Sequence, residues 1–325
     1  MRCSYKTVYI KETYVGITRT GIATLKNAVL LRRYRTRYFM LIPALILTAV
    51  FVYGPIWGMG VAFFDYNPGL GFAGSSFVGL KHFVRFFQSS SFLLIIRNSF
   101  VISLLNVLFG TIFPITFALM LNEISSTPFK KTVQTVSYLP HFISYIVVAN
   151  IALTTLGPNG VVMRLLMSQK IISQPALLFA QPTSFWPLVA SINIWKEMGW
   201  SAIIYISAIA GIDQTLYEAA MVDGANRFRR IWHITLTGIR PTIIVLLIMA
   251  MPDLLNAGFD PSFLLGNAMV QDYSEVLDTF VYRVGLGQGQ YSFATAIGLL
   301  RMMIGILLIT SANAFARRVS EYSIY

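Results

Sequence analysis

The sequence predicts an all-α protein that crosses a membrane six times. Hydrophobic residues make up 56% of the 325 positions, only 12% are charged, and the mean hydropathy is +0.66. A soluble domain does not need so much apolar sequence to build its core. A membrane-spanning helix does, because the hydrocarbon layer is about 30 Å thick and takes about 20 mostly apolar helical residues to cross. The chain contains several stretches of this kind.

The apolar stretches place six spans along the chain, at residues 38–64, 92–121, 136–156, 185–210, 241–264 and 291–315. Several spans contain proline, which a membrane helix tolerates where neighbouring groups satisfy the freed backbone. We expect kinks at these positions, which are Pro43, Pro55, Pro114, Pro140 and Pro252. Pro252 stands beside Asp253, and we expect it to break the fifth helix and free backbone carbonyls there.

The distribution of basic residues predicts how the chain lies in the membrane. Lys and Arg are frequent before the first span and recur after the second, fourth and sixth, whereas the other loops carry only Lys81, Arg85, Arg164, Lys170 and Arg283. Basic loops stay on the cytoplasmic side. The pattern therefore predicts two cytoplasmic termini, a basic cytoplasmic tail over residues 1–37 and a membrane domain over 38–325. The same pattern accounts for the net charge of +12 as contact with the membrane, and nucleic acid is not an expected partner.

Several other classes of protein are disfavoured by what the sequence lacks. Cys3 is the single cysteine, and no histidine and cysteine set has the spacing of metal ligands, so no metal site is expected. The first fifteen residues have no continuous apolar core, so a cleaved signal peptide is not expected. No phosphate-binding loop of the Gly-x-x-x-x-Gly-Lys-Ser/Thr type occurs, and no catalytic residues are predicted. The chain is expected to hold no cofactor of its own.

The loop between the fourth and fifth spans, residues 211–240, has a pattern of its own. Small and acidic residues precede Gly224, which is typical of a short helix that ends at a glycine. A second helical pattern over residues 225–236 mixes arginines with large apolar residues and suits a helix along the headgroups. Two short helices on the cytoplasmic face are predicted.

The amino-acid sequence of this loop resembles the cytoplasmic motif of the membrane subunits of ABC importers. That pattern begins Glu-Ala-Ala, has Asp-Gly-Ala a few residues later and ends Ile-x-Leu-Pro, and Thr237 stands here where the family usually has proline. The segments 77–87, 138–148, 195–218, 256–265, 275–283 and 291–299 also resemble carbohydrate importers of the maltose and oligosaccharide type. The sequence as a whole is similar to the sequences of the permease subunits of alginate importers. The matching positions are Glu218, Ala219, Ala220, Asp223, Gly224, Ala225, Ile234 and Leu236.

The resemblance implies a type I ABC importer fold in a bacterial inner membrane and a transport function for oligosaccharide or polysaccharide, alginate included. It implies four kinds of partner: a second permease subunit, two cytoplasmic ATPase subunits that hold ATP and magnesium, a periplasmic sugar-binding protein and membrane lipid. Residues 218–237 would couple the chain to an ATPase, with Arg227 beside the motif residues. The outer segment 266–290 would face the binding protein.

Charged residues inside the predicted spans and away from their ends are candidates for the substrate pathway, because a charge in the membrane is costly unless it is paired or wetted. They are Lys196, Glu197, Asp253 and Arg301, joined as candidates by Asn193, Trp195, Tyr205 and Asn256. By depth along their helices, Lys196 and Asp253 could meet near the midplane. Two interpretations stay open: ion pairs that only hold helices together, or a wet cavity in which a cation receives an acidic sugar.

Two other functions compete with the importer. An ion-driven secondary transporter or channel would need no ATPase, but such carriers commonly show paired repeats, and none is visible here. An intramembrane enzyme would need a catalytic pair or a metal set within the spans. The loop pattern favours the importer permease over both.

Overall fold

The computed structural model describes residues 34–172, 174–175 and 177–319. The predicted tail over 1–37 therefore lies almost entirely outside the described residues. The chain divides into two compact units, Met1–Gly60 and Val61–Tyr325. The first is described from Tyr34 and consists of most of helix α1, Arg35–Phe63. Within α1, a π-helical segment, Ala49–Tyr53, comes just before Pro55 and accommodates the missing backbone donor of that proline.

A two-stranded hairpin follows α1, in a chain whose sequence predicts helices alone. Strand β1, Phe64–Asp65, pairs antiparallel with β2, Ser76–Phe77. The turn between the strands has the residues that turn geometry requires, since Asn67 Oδ1 accepts a hydrogen bond from the backbone of Gly69 at 2.9 Å. Helix α2, Lys81–Phe87, comes next. These elements occupy the first predicted outer loop.

Two long helices form the centre of the second unit. Helix α3 is Phe92–Asn122, and helix α7 is Pro182–Ala210; they make the most extensive helix contact of the described chain. Both agree with predicted spans within a few residues. Both helices bury small and polar side chains, as is usual where membrane helices approach their neighbours closely. They are Asn98, Ser99, Ser103, Ala190, Asn193 and Ala202.

The predicted third span, 136–156, is not one helix. Helix α4, Thr127–Tyr138, ends in a 3-10 turn, Leu139–Phe142, and helix α5, Tyr145–Leu156, begins after a break. The break has two local causes. Pro140 lacks a backbone donor, and Ser144 takes an extended conformation as the N-terminal cap of α5. Helix α6, Val161–Ser168, follows, and α5 with α6 forms one candidate span, Tyr145–Ser168.

The loop over 211–240 folds into the two helices that its sequence predicts. Helix α8 is Gln214–Val222 and helix α9 is Arg227–Gly238, which contains a π-helical segment. Gly224 lies between them at φ +73°, a left-handed conformation that favours glycine. The turn predicted at Gly224 is therefore confirmed.

The fifth predicted span, 241–264, is broken at the predicted place. Helix α10, Arg240–Ala250, passes into a 3-10 segment, Met251–Leu255, with Pro252 near its start. The chain then turns through Gly258 at φ +85° and re-enters a helix, α11, Phe259–Leu265. Helices α9 and α10 bend by 56° at their junction.

The outer segment and the last helix complete the second unit. Residues 266–290 contain helix α12, Gln271–Ser274, and helix α13, Leu277–Tyr282. Helix α14, Tyr291–Val319, follows and contains the sixth predicted span. Leu277, Phe280 and Phe293 share one apolar cluster with Phe86 of α2, so the outer elements pack on α14.

Length and hydropathy identify four candidate spans among the described residues, or five if the bent pair α9 and α10 counts as one. Helix α7 is not among them, although its 29 residues are long enough to cross a bilayer. Its apolar sequence is interrupted by Asn193, Lys196 and Glu197. Six spans therefore remain a prediction.

Candidate functional site

A cavity of about 880 Å³ opens between α3, α7 and the broken region that follows α10. The helix break contributes to this cavity, because the turn after α10 brings Asp253 and Asn256 to its wall, where a continuous helix would not place them. The volume is in the range of pockets that hold small organic ligands. The side chains that give it polar and aromatic character are Ser103, Asn106, Thr111, Tyr145, Asn193, Glu197, Trp200, Ser201, Tyr205, Asp253, Asn256, Phe259 and Asp260.

Five of the eight residues named as pathway candidates line this cavity. They are Asn193, Glu197, Tyr205, Asp253 and Asn256. The cavity brings together residues of α7 and residues of the broken segment, although Asn193 and Asp253, for example, lie 60 positions apart in the sequence. Trp195, Lys196 and Arg301 are not among its lining residues.

Lys196 lies behind the cavity and contacts three other residues there. Its ammonium donates to Glu197 Oε1 at 3.0 Å and to the backbone oxygen of His141 at 2.7 Å, and it lies 4.9 Å from the centre of the Tyr145 ring. Glu197 Oε2 is 2.6 Å from His141 Nδ1, and the His141 ring stacks on Trp200. Only 6% of the Lys196 side chain is exposed. The contacts place Lys196 with Glu197 and not with Asp253.

Arg301 of α14 pairs with Asp278 of α13. Both side chains are largely buried, and the pair ties the last helix to the outer segment. From the sequence, Arg301 groups with Lys196, Glu197 and Asp253 as a charge inside the spans, but its partner is none of these three. The sequence could not identify it, because Asp278 lies in a segment predicted to be an outer loop.

Asp253 has no basic partner among the described residues. Its Oδ1 accepts a hydrogen bond from Asn256 Nδ2 at 3.0 Å, within the turn that follows Pro252. On the opposite side of the cavity, Asn193 Nδ2 lies 3.3 Å from Asn106 Oδ1 and joins α7 to α3. The cavity is therefore bordered by amides and carboxylates from three separate elements.

Sequence reasoning missed several residues that line the cavity. Ser103 and Asn106 of α3 are among them, as are Tyr145, Trp200 and Asp260. A signal existed for the first two: Asn98, Ser99, Ser103 and Asn106 recur along one apolar helix at intervals that place them on related faces. Asp260 falls within the predicted fifth span, but because that helix is broken, Asp260 is exposed and lines the cavity.

The predicted coupling residues lie on and just after helix α8. Asp213 caps this helix by accepting a hydrogen bond from the backbone of Thr215 at 3.0 Å, and that bond lowers the pKa of the Asp213 carboxyl. Glu218, Ala219, Asp223, Gly224 and Arg227 are exposed, and Ala220 and Ala225 are partly buried. Apolar side chains on the same short helix are exposed as well, with Val222 at 88%. Helix α8 therefore presents a mixed apolar and acidic surface.

Helix α8 is fixed to α9 and the membrane helices at its base. Tyr217 Oη lies 2.9 Å from Thr235 Oγ1, and Thr235 is fully buried. Gly238 packs against the Ile212 side chain, where a Cβ atom would stand 2.7 Å from Ile212 Cδ1. A displacement of α8 would therefore be transmitted to the start of α10.

The outer segment is held to α3 near the N-terminal end of that helix. Asn98 Nδ2 donates to the backbone oxygens of Asp272, at 3.0 Å, and Glu275, at 2.9 Å, and Ser99 Oγ accepts from the backbone of Leu277 at 2.8 Å. Arg97 donates to the backbone oxygen of Asp272 at 2.8 Å. The helix that lines the cavity thus also holds the outer segment.

Comparison with known proteins places the chain in a family. Residues 110–321 match the family described as binding-protein-dependent transport system inner membrane component. Protein LplB of Bacillus subtilis is 40% identical over 296 residues, which cover 91% of this chain and 92% of that protein. The polygalacturonan/rhamnogalacturonan transport system permease protein YteP of the same organism is 42% identical over 291 residues, or 89% of each chain.

Two solved structures share the fold. One is a bacterial ABC transporter involved in the import of the acidic polysaccharide alginate; the match has a TM-score of 0.82 at 38% identity and covers 91% of this chain and all of that one. The other is a bacterial alginate ABC transporter in complex with an alginate pentasaccharide-bound periplasmic protein, with a TM-score of 0.81 at 38% identity, covering 90% and 98%. The predicted fold class, a helical membrane protein of the type I importer kind, is confirmed.

Proposed function

The chain belongs to the binding-protein-dependent transport system inner membrane components and is a permease subunit of a sugar ABC importer, and from this premise we propose that its cargo is an acidic oligosaccharide. The observation that carries the proposal is the 38% identity to the alginate importer over nearly the whole of both chains. The YteP relative, whose name gives polygalacturonan and rhamnogalacturonan, supports the same chemical class. Nothing in the comparisons favours a secondary transporter.

The cavity is the proposed route of the cargo. Its position between α3, α7 and the break after α10 matches the broken helices around which transporters build their substrate sites. Aromatic side chains such as Tyr145 and Trp200 offer faces for sugar rings, and the amides offer hydrogen bonds to hydroxyl groups. One permease would supply one wall of the route and a second permease subunit the other.

Helix α8 is the proposed contact with an ATPase subunit. Its exposed apolar and acidic surface, its cap at Asp213 and its fixed base suit a short rigid element that docks in a groove of a partner. The chain itself would be non-catalytic, and ATP and magnesium would be held by two ATPase subunits on separate chains. Both termini would lie in the cytoplasm, and the outer segment 266–290 would receive a periplasmic sugar-binding protein.

Reconstitution tests this proposal. The chain, its second permease, the ATPase and the binding protein are assembled in lipid, and ATP hydrolysis is measured with alginate and galacturonate oligosaccharides and with maltose-series sugars of equal length. We expect the acidic oligosaccharides to stimulate hydrolysis and to be taken up. Stimulation by the neutral series alone would overturn the cargo, and uptake without any ATPase would overturn the importer.

A further inference from the structure

The cavity wall that this chain supplies carries negative charge only. Its charged lining residues are Glu197, Asp253 and Asp260, and none of the lining residues, all of them within the described part of the chain, is Lys, Arg or His. Asp253 and Asp260 take part in no ion pair with another described residue, and both are exposed. A carboxylate placed against this wall would be repelled.

Among the described residues, the buried cation near this wall is Lys196, and its ammonium already has partners. The ammonium of Lys196 has three donors, and its contacts are Glu197, the backbone oxygen of His141 and the face of Tyr145. Glu197 stands on the cavity side of that network, because Glu197 and not Lys196 lines the cavity. A cargo carboxylate would have to displace Glu197 to reach Lys196.

Neutral polar groups on the same wall lack partners. Ser103 Oγ and Asn193 Oδ1 are buried and have no hydrogen-bond partner among the described residues, and both residues line the cavity. A buried hydroxyl or amide oxygen without a partner costs free energy, which a ligand hydroxyl recovers when it binds. A sugar hydroxyl both donates and accepts, so it can serve Asn193 Oδ1 and Ser103 Oγ alike.

We infer, resting on the proposed function, that this wall binds the hydroxyl groups of the cargo through Ser103 and Asn193 and turns the cargo's carboxylates toward the opposite wall. The cations that an acidic sugar needs then come from the second permease subunit. Specificity is divided between the two subunits: this chain recognises the sugar as a polyol, and its partner recognises the acid.

The test uses two forms of one cargo. Binding of alginate and galacturonate pentasaccharides, and of the same compounds with their carboxyl groups methyl-esterified, is measured on the purified complete complex. Ser103→Ala should weaken both forms by about the same factor, three- to tenfold, which is the usual effect of losing a neutral hydrogen bond. The thermal stability of this variant without cargo should not fall, because the Ser103 hydroxyl has no hydrogen-bond partner in the described part of the chain.

Ser262 provides the matched control. Its hydroxyl is likewise buried and without a partner, but Ser262 does not line the cavity. Ser262→Ala should change neither affinity. If Ser103→Ala behaves like Ser262→Ala, or weakens only the acid form, the inference is wrong.

A second variant tests the charge of the wall. Asp253→Asn keeps the hydrogen-bond acceptor and removes the charge, so it should tighten binding of the acid form by up to about fivefold and leave the ester unchanged. Weaker binding of the acid form would mean that Asp253 attracts the carboxylate through a bound cation, against the inference. If the wild-type complex binds neither acid form, the proposed cargo fails; if it binds them and the variants do not respond, only this inference fails.

Discussion

The backbone oxygen of Ser137 lies directly against Gly199, in the place that a Cβ atom of a larger residue would occupy. Gly199 is buried in the middle of α7, and Ser137 is near the end of α4. This contact explains how α4 can approach α7 although α4 ends in a break at Pro140. It also holds His141 and the Lys196 network at the edge of the cavity.

Replacing Gly199 with alanine should therefore damage the fold. The added methyl group overlaps backbone atoms, which move less easily than a side chain, so we expect a loss of about 2–3 kcal/mol in stability and a lower yield of complex. Thermal unfolding of the purified complex measures it. Gly298→Ala is the control, since a Cβ atom at Gly298 meets nothing within 4 Å. Equal stability of the two variants would contradict the prediction.

Reversing the charge of Glu218 should uncouple transport from ATP hydrolysis. Glu218 is exposed on α8, and a lysine there would repel any basic group that the acidic side chain meets on a partner. We expect cargo-stimulated hydrolysis to fall about tenfold in Glu218→Lys.

The neutral variant Glu218→Gln keeps the shape of the side chain and serves as the control for this change. It should retain most of the stimulation, because an amide can still accept a hydrogen bond. Full stimulation in the lysine variant would remove α8 as the coupling element.

The pair of Arg301 and Asp278 should be replaceable as a unit but not singly. Burial raises the pKa of Asp278 even with Arg301 beside it, so the loss of solvation outweighs the attraction. Asp278→Leu alone leaves Arg301 largely buried without its partner and should cost about 2 kcal/mol. The double change Arg301→Met with Asp278→Leu should recover most of that loss. A double-mutant cycle on thermal stability measures the coupling, and additive losses would refute it.

The pair of Lys81 and Asp65 should lose its effect on stability only in acid. Lys81 donates to Asp65 Oδ2 at 2.7 Å, and this contact lowers the pKa of the Asp65 carboxyl. A lowered pKa means that the contribution is complete above the unfolded value of about 3.9 and is lost as the pH falls through the folded value. The stability difference between wild type and Asp65→Asn should be small and constant from pH 5 to 8, should begin to shrink below about pH 4, and should vanish only once the pH lies below the folded value. A difference that changes between pH 5 and 8 would contradict this prediction.

Long uninterrupted apolar stretches were predictable from the sequence. Helices α3 and α14 begin at the residues where their predicted spans begin, because no break interrupts them. Pro114 did not end α3, as membrane helices tolerate an isolated proline. Where a proline stood beside other helix-breaking features, as at Pro140 and Pro252, the helix did break, and the sequence predicted only the second case.

Partners of charged residues were not predictable, because they depend on contacts between distant segments. Lys196 contacts its sequence neighbour Glu197 and a carbonyl on another element, which no periodicity reveals. The loop over residues 211–240 was easier, since the turn that its sequence predicts is local. Gly224 acts within a few residues of its own position, and patterns of that range can be read directly.

The hydrogen bonds of Asn98 and Ser99 to residues 272–277 have a mechanical consequence. The same rigid rod, α3, carries those two residues at its outer tip and Ser103 with Asn106 one to two turns further in. A docking protein that tilts the outer segment would therefore also move Ser103 and Asn106, which line the cavity. Docking of a protein at the outer segment and a change in the shape of the cavity would then occur together.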